Sequence, residues 1–227
     1  MASWGAQVVS GLAAPGRAPA AASGALWQSL LLAMGDGSPA GTATAAPTTR
    51  RVLPQGDVSE FEPFFRAHEH DIFTYLWRMT GDEQTAYDLA QETFLRAWRH
   101  FTRIRAYERP GGWLFRVATH LALNHLRNRA TSVGAAMSLD AAGIDRHALA
   151  PSGAAPDPGA RVADADTVRR ALMALSPRQR AALVLREVYG LSCREVAAAL
   201  GISAGAAKTL LWRARDDLRE RYAEEVR

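Results

Sequence analysis

The 227-residue chain holds a single cysteine, Cys193, which excludes an internal disulfide. No apolar run approaches the roughly 18 residues that a membrane-spanning helix requires. Nor does a basic segment lead into an apolar core with a cleavage site at the N-terminus. A soluble, cytoplasmic protein without membrane insertion is the expectation. Strand-like alternation is missing throughout, which leaves helices as the regular elements. Glycine-rich phosphate loops, HExxH and CxxC patterns, and spaced carboxylates in a catalytic setting are missing too. His68, His70 and Asp71 are close in sequence, but residues i and i+2 of a helix point apart, so they do not read as metal ligands. Cys193 has no histidine near it in sequence to serve as a base and reads as a small packing residue. These gaps point away from an enzyme, and neither a cofactor nor a metal is expected.

A chain with 48% hydrophobic and 22% charged residues is globular in composition, and its length allows two small domains. The formal charge of +4 is unevenly spread. From Leu53 to Leu95 nine acids stand against two arginines, and from Arg96 to Ala130 eight arginines stand against one acid. From Val168 to Arg227 twelve basic residues stand against seven acids. Two separated basic regions, each beside apolar helical patterns, suit two separate contacts with a polyanion.

Residues 1–52 are rich in Ala, Gly, Pro, Ser and Thr and read as a low-complexity, disordered extension. Within them ALWQSLLLAM, Ala25 to Met34, is apolar; it reads as part of that extension or as an anchor or partner helix. Helical patterns fill 53–130, a Pro/Gly/Ala/Asp-rich flexible linker covers 131–163, and helical patterns resume over 164–227. The expected fold is all-α, with two small helical domains joined by a flexible linker.

In the C-terminal domain, Leu175-Ser176-Pro177 has the form of a helix start, with Ser176 as cap and Pro177 at the first helical position. Ser192 and Glu195 have capping-box spacing, Gly201 permits a tight turn, and Ser203 can cap the last helix. Val196, Ala197, Leu200, Ile202, Ala207, Leu211 and Ala214 form an apolar set that can pack two helices at a steep angle. That is a helix-turn-helix pattern, and it places Ala204, Ala206, Lys208, Thr209 and Arg213 toward a major groove or its phosphates, with Arg215 nearby.

In the N-terminal domain, DLAQETFLRAWRHF puts Leu89, Ala90, Thr93, Phe94, Ala97, Trp98 and Phe101 on a buried face. Asp88, Gln91, Glu92, Leu95, Arg96 and Arg99 share the other, and the leucine there hints at docking. A loop follows with Arg103, Arg105, Tyr107 and Arg109. The next helix buries Trp113, Leu114, Val117, Ala118 and Leu121 and shows a stripe of Arg116, His120, Asn124 and Arg127. Arginines beside an aromatic, next to a basic helix, suit phosphate contacts with stacking of unpaired bases.

Taken together, DLAQETFLRAWR, the following WLFRVA...N..R helix and LSPRQRAALVLREVYGLSCREVAAALGIS...K...RAR resemble bacterial RNA polymerase sigma factors of the extracytoplasmic-function group. The resemblance covers about Phe61 to Arg129 and Thr167 to Tyr222. It implies core RNA polymerase and promoter DNA as partners, and in many relatives an anti-sigma factor. Carried over by motif position, Asp88, Gln91, Glu92 and Leu95 dock on polymerase. Arg103, Arg105, Tyr107, Arg109, Arg116, His120, Asn124 and Arg127 meet the minus-ten element. Lys208, Thr209 and Arg213 meet the minus-thirty-five duplex. The chain departs from the family pattern at Thr119-His120, at Asn124, and from Gly205 to Leu210, where Gly-Ala-Ala-Lys-Thr-Leu replaces Gly-Thr-Val-Lys-Ser-Arg; the lost donors on that helix leave room for a promoter sequence other than the family's usual one. A conventional helix-turn-helix regulator with a sensing or dimerising N-terminal domain is the alternative.

Overall fold

The computed structural model describes residues 25–30, 58–137 and 161–226, with side chains for 25–30, 58–131 and 166–226. Among the described residues every regular element is helical. Helix α1 is Val58–Thr80 and α2 is Glu83–Arg99. Between them Gly81 takes a φ of 73°, a left-handed conformation that favours glycine. The Asp82 carboxylate caps α2 by accepting from the Thr85 N–H at 2.8 Å. So tight a turn folds the helices back along each other. Phe61 near the start of α1 meets Trp98 at the end of α2 and Phe101 just beyond it, at ring separations of 5.2 and 5.1 Å. Phe65 meets Phe94 at 4.6 Å.

The single turn α3, Phe101–Ile104, leads into the arginine loop, and α4, Pro110–Met137, closes the domain. Helix α4 thus runs into the expected linker, of which 138–160 lie outside the described residues. Its buried side chains are Leu114, Phe115, Ala118, Thr119 and Ala122, whereas Trp113, Val117 and Leu121 are only half-buried. The stripe is displaced from the expected one because Thr119 is satisfied indoors. Its hydroxyl donates to the Phe115 carbonyl at 2.6 Å, so the fully buried Tyr75 must be the donor in their 2.7 Å contact. Burial raises the Tyr75 pKa.

The expected disordered extension does not hold for residues 25–30, which form a helical turn. Leu26, Trp27 and Leu30 are buried there against α1 and α2, which supplies the apolar contact that the surrounding composition lacks.

The second domain contains α5, Arg161–Ala174; α6, Pro177–Leu183; α7, Cys193–Leu200; and α8, Ala204–Glu225. A π-helical turn, Val184–Val188, extends α6. The caps lie where the sequence puts them. Ser176 and Gln179 form one capping box and Ser192 and Glu195 another, Gly201 takes a φ of 66°, and Ser203 accepts from the Ala206 N–H. Leu200, Ala207, Leu211, Ala214 and Leu218 are buried where α8 packs on α5, α6 and α7.

The two domains pack together. Helix α7 lies on α4, and Tyr189, which follows the π turn, sits against Phe115 at 4.6 Å and Tyr75 at 6.0 Å. Its hydroxyl donates to the Asp71 carbonyl at 2.9 Å and accepts from Arg78 at 3.3 Å. A Cβ at Gly81 would lie 2.7 Å from Met173 Cε, so the turn between α1 and α2 also carries the underside of α5.

Candidate nucleic-acid and polymerase interface

The helix-turn-helix owes its shape to two reciprocal devices. At the start of α7 the Ser192 backbone N–H donates to Glu195 at 2.7 Å, while the Glu195 N–H donates to the Ser192 hydroxyl at 3.2 Å. At its end Gly201 turns the chain so that the Ile202 N–H reaches the Ala197 carbonyl at 3.0 Å. Helix α8 then buries one side and leaves Ala204, Gly205, Ala206, Lys208, Thr209, Trp212 and Arg213 exposed. Its first turns present small residues, which lets the backbone approach a duplex closely, and its first charge is Lys208. All five residues expected on this face are there. Arg215 instead turns away to pair with Glu187 at 2.6 Å. Sequence reasoning passed over Trp212, 66% exposed and one turn beyond Lys208 on the same side.

On α2, Asp88 is exposed while Gln91, Glu92 and Leu95 are half-exposed along one side. Glu92 pairs with Arg96 at 2.7 Å and Asp88 accepts from Gln84 at 3.2 Å, so the acidic face is held in place by its own helix. An exposed ion pair of this kind adds little stability, which leaves Glu92 available to a partner at small cost.

Arg103, expected in a loop, lies on α3, and Arg105, Tyr107 and Arg109 follow in the loop after it; all four are exposed, with Tyr107 at 43%. Arg105 pairs with Glu60 on α1. Arg116, His120, Asn124 and Arg127 form the exposed stripe on α4, with Arg127 donating to Asn124 at 3.2 Å. The half-buried Trp113 meets His100 at 6.2 Å beside this loop; its aromatic ring was expected in the core. His68 packs edge-on against Phe64 at 4.9 Å, and burial lowers its pKa against the pull of Asp71. His70 is exposed, so the two imidazoles lie in different surroundings.

The arginine loop and the helix-turn-helix meet directly. Arg109 donates to Glu195 at 2.8 Å, and a Cβ on Gly201 would lie 4.0 Å from His120 Nε2. Partial burial, then the nearby Arg116, lowers the His120 pKa, so in this arrangement it favours the neutral imidazole. Hydrogen bonds from Ser192, then Arg109, hold the Glu195 carboxyl below the usual carboxylate range.

Residues 64–131 match the family model for sigma-70 region 2, and residues 165–218 match the model for sigma-70 region 4. The extracytoplasmic-function sigma factor SigG of Mycobacterium tuberculosis is 33% identical over 214 residues, covering 78% of this chain and 58% of that protein. The chain therefore spans less than two thirds of that relative's length. Sigma factor YlaC of Bacillus subtilis is 30% identical over 163 residues, with 70% of this chain and 90% of that protein covered. Among solved structures, the sigma factor RpoE from Bartonella quintana, determined with its anti-sigma factor NepR, shares the fold with a TM-score of 0.56. That match has 24% identity over 72% of this chain and 97% of the other. Among the described residues, no helix is long and apolar enough to cross a membrane.

Proposed function

The chain belongs to the extracytoplasmic-function group of the sigma-70 family, and from that membership we propose that it binds core RNA polymerase and directs initiation at a restricted set of promoters. One observation carries the reading: an acidic, leucine-bearing face on α2 and a small-residue, basic face on α8 are both exposed in one chain, on the two matched regions. Asp88, Gln91, Glu92 and Leu95 take the polymerase clamp. The loop Arg103, Arg105, Tyr107 and Arg109 takes the minus-ten strand together with Arg116, His120, Asn124 and Arg127. Ala204, Ala206, Lys208, Thr209 and Arg213 enter the minus-thirty-five duplex. The protein acts in the cytoplasm as a regulatory subunit without catalytic residues, and an anti-sigma protein is the regulator this reading implies.

Energetics require the polymerase. Separating base pairs costs on average ~1.4 kcal/mol per step, so ten steps cost on the order of 14 kcal/mol. Stacking one base on an aromatic returns roughly 1–3 kcal/mol. Tyr107 and Trp113 together fall well short, so this chain captures a strand that the holoenzyme opens.

The test is co-elution of purified protein with bacterial core polymerase, followed by transcription from fragments of the source genome. Discrete new start sites that depend on the protein establish the function. Binding of duplex DNA as a dimer at paired half-sites, with no affinity for active core, would replace it by a conventional helix-turn-helix regulator.

A further inference from the structure

Residues 25–30 lie outside both matched regions, yet they are seated on the domain that carries the acidic face. Their pattern is amphipathic at short range: Leu26, Trp27 and Leu30 point inward while Ala25 and Gln28 are exposed. The Trp27 ring is 4.8 Å from Phe65 and 6.5 Å from Phe61, and the Arg66 guanidinium stands over the ring at 5.8 Å from its centre. Phe61 and Phe65 are fully buried, and part of that burial is the tryptophan. The Tyr87 hydroxyl donates to Ser29 Oγ at 2.9 Å.

Tyr87 fixes where this turn sits. It immediately precedes Asp88 on α2 and lies one helical turn before Gln91, so Tyr87 and Gln91 share a side of the helix. The bound turn therefore borders the acidic face along its edge toward α1. Leu26, Trp27 and Leu30 are buried by the groove that receives them, so packing of this apolar face supports the helical form. Being part of the same chain, it rebinds as an intramolecular ligand at an effective concentration set by the tether.

We infer that the groove between α1 and α2 is a docking surface for a short Leu-Trp-x-x-Leu helical turn, that residues 25–30 occupy it in cis, and that this occupant competes with polymerase for the edge of the acidic face. The competition rests on the polymerase reading above. A site open for only part of the time binds its partner with an apparent Kd raised by the reciprocal of the open fraction.

Affinity for core polymerase is measured with the full-length chain, wild type and Trp27→Ala/Leu30→Ala, alongside thermal melts followed by circular dichroism. The double variant should bind core at least about threefold tighter, the shift for a groove covered two thirds of the time. A synthetic peptide of residues 21–34, added in excess, should return its affinity to the wild-type value. Equal or weaker binding by a variant that still melts cooperatively overturns the inference, as does a peptide without effect. Should the double variant lose its cooperative melt, Ser29→Ala decides, since it removes only the hydrogen bond to Tyr87: tighter binding supports the competition and unchanged binding ends it. If neither wild type nor Ser29→Ala binds core, the polymerase reading itself falls and takes the competition with it.

Discussion

The Arg180 side chain shows how one residue can be worth more than its surroundings suggest. Its guanidinium is buried and donates to the carbonyls of Leu172, Met173 and Leu175 around the end of α5, and to Met79 near the end of α1. Those carbonyls carry the negative ends of two helices, and a planar fork reaches both. Burial lowers its pKa to about 10, so it stays charged at neutral pH. Arg180→Met removes the donors and leaves several carbonyls unsatisfied, a loss on the order of 3 kcal/mol in a urea titration. Arg180→Lys keeps the charge without the fork and should recover less than half of that loss. Glu195 works in a different register. Its folded pKa lies below the ordinary value of 4.5, so the folded protein binds fewer protons than the unfolded chain near that pH. The stability it contributes is present above about pH 4.5 and is lost as pH falls through the folded value. Glu195→Gln keeps the capping-box reach without the titration, so its melting temperature should decline less than that of wild type between about pH 5 and pH 3.

At the scale of elements, α8 and α2 make separable predictions. Lys208 is the only lysine in the chain and the first charge on the exposed side of α8. With one phosphate contact, Lys208→Ala should weaken promoter binding by the holoenzyme and reduce the slope of log K against log salt by about one unit. An unaltered slope would place Lys208 off the phosphates. On α2, Glu92→Lys with Leu95→Ala should lower core affinity by about tenfold while a cooperative melt is retained, because the Glu92–Arg96 pair is exposed and Leu95 is only half-buried. These elements were legible in the sequence for a physical reason. Caps at Ser176, Ser192 and Ser203 and the turn at Gly201 depend on residue type and spacing, which are local. The buried side of α4 was less legible, since Thr119 reads as polar until Tyr75, far away in sequence, donates to it. Nothing local announces the π turn at Val184–Val188, which carries the chain from α6 to Tyr189 at the contact between domains. The seat of residues 25–30 was equally hidden, because Phe61 and Phe65 create it.

For the whole molecule, the contact between domains sets what the chain must do on DNA. Arg109 and Glu195 are 2.8 Å apart, so the loop assigned to the minus-ten strand touches the unit assigned to the minus-thirty-five duplex. Those elements are centred roughly 25 base pairs apart, or about 85 Å along a straight duplex at 3.4 Å per pair. The packed arrangement cannot engage both. Residues 138–160 can span at most about 80 Å fully extended, a reach comparable with the separation once the width of each domain is added. Under the proposed function, initiation requires the domains to part, and Tyr189 is one side chain that holds them, through Phe115, Tyr75, Asp71 and Arg78. Tyr189→Ala should increase the radius of gyration of the free protein in small-angle X-ray scattering while leaving its helical content unchanged. Opening in advance also removes a step from promoter engagement, so holoenzyme formed with the variant should bind promoter DNA faster than wild type in stopped-flow mixing. An unchanged radius together with an unchanged association rate would mean that the remaining contacts, Arg180 to Met79 and Arg109 to Glu195, are sufficient to keep the domains closed.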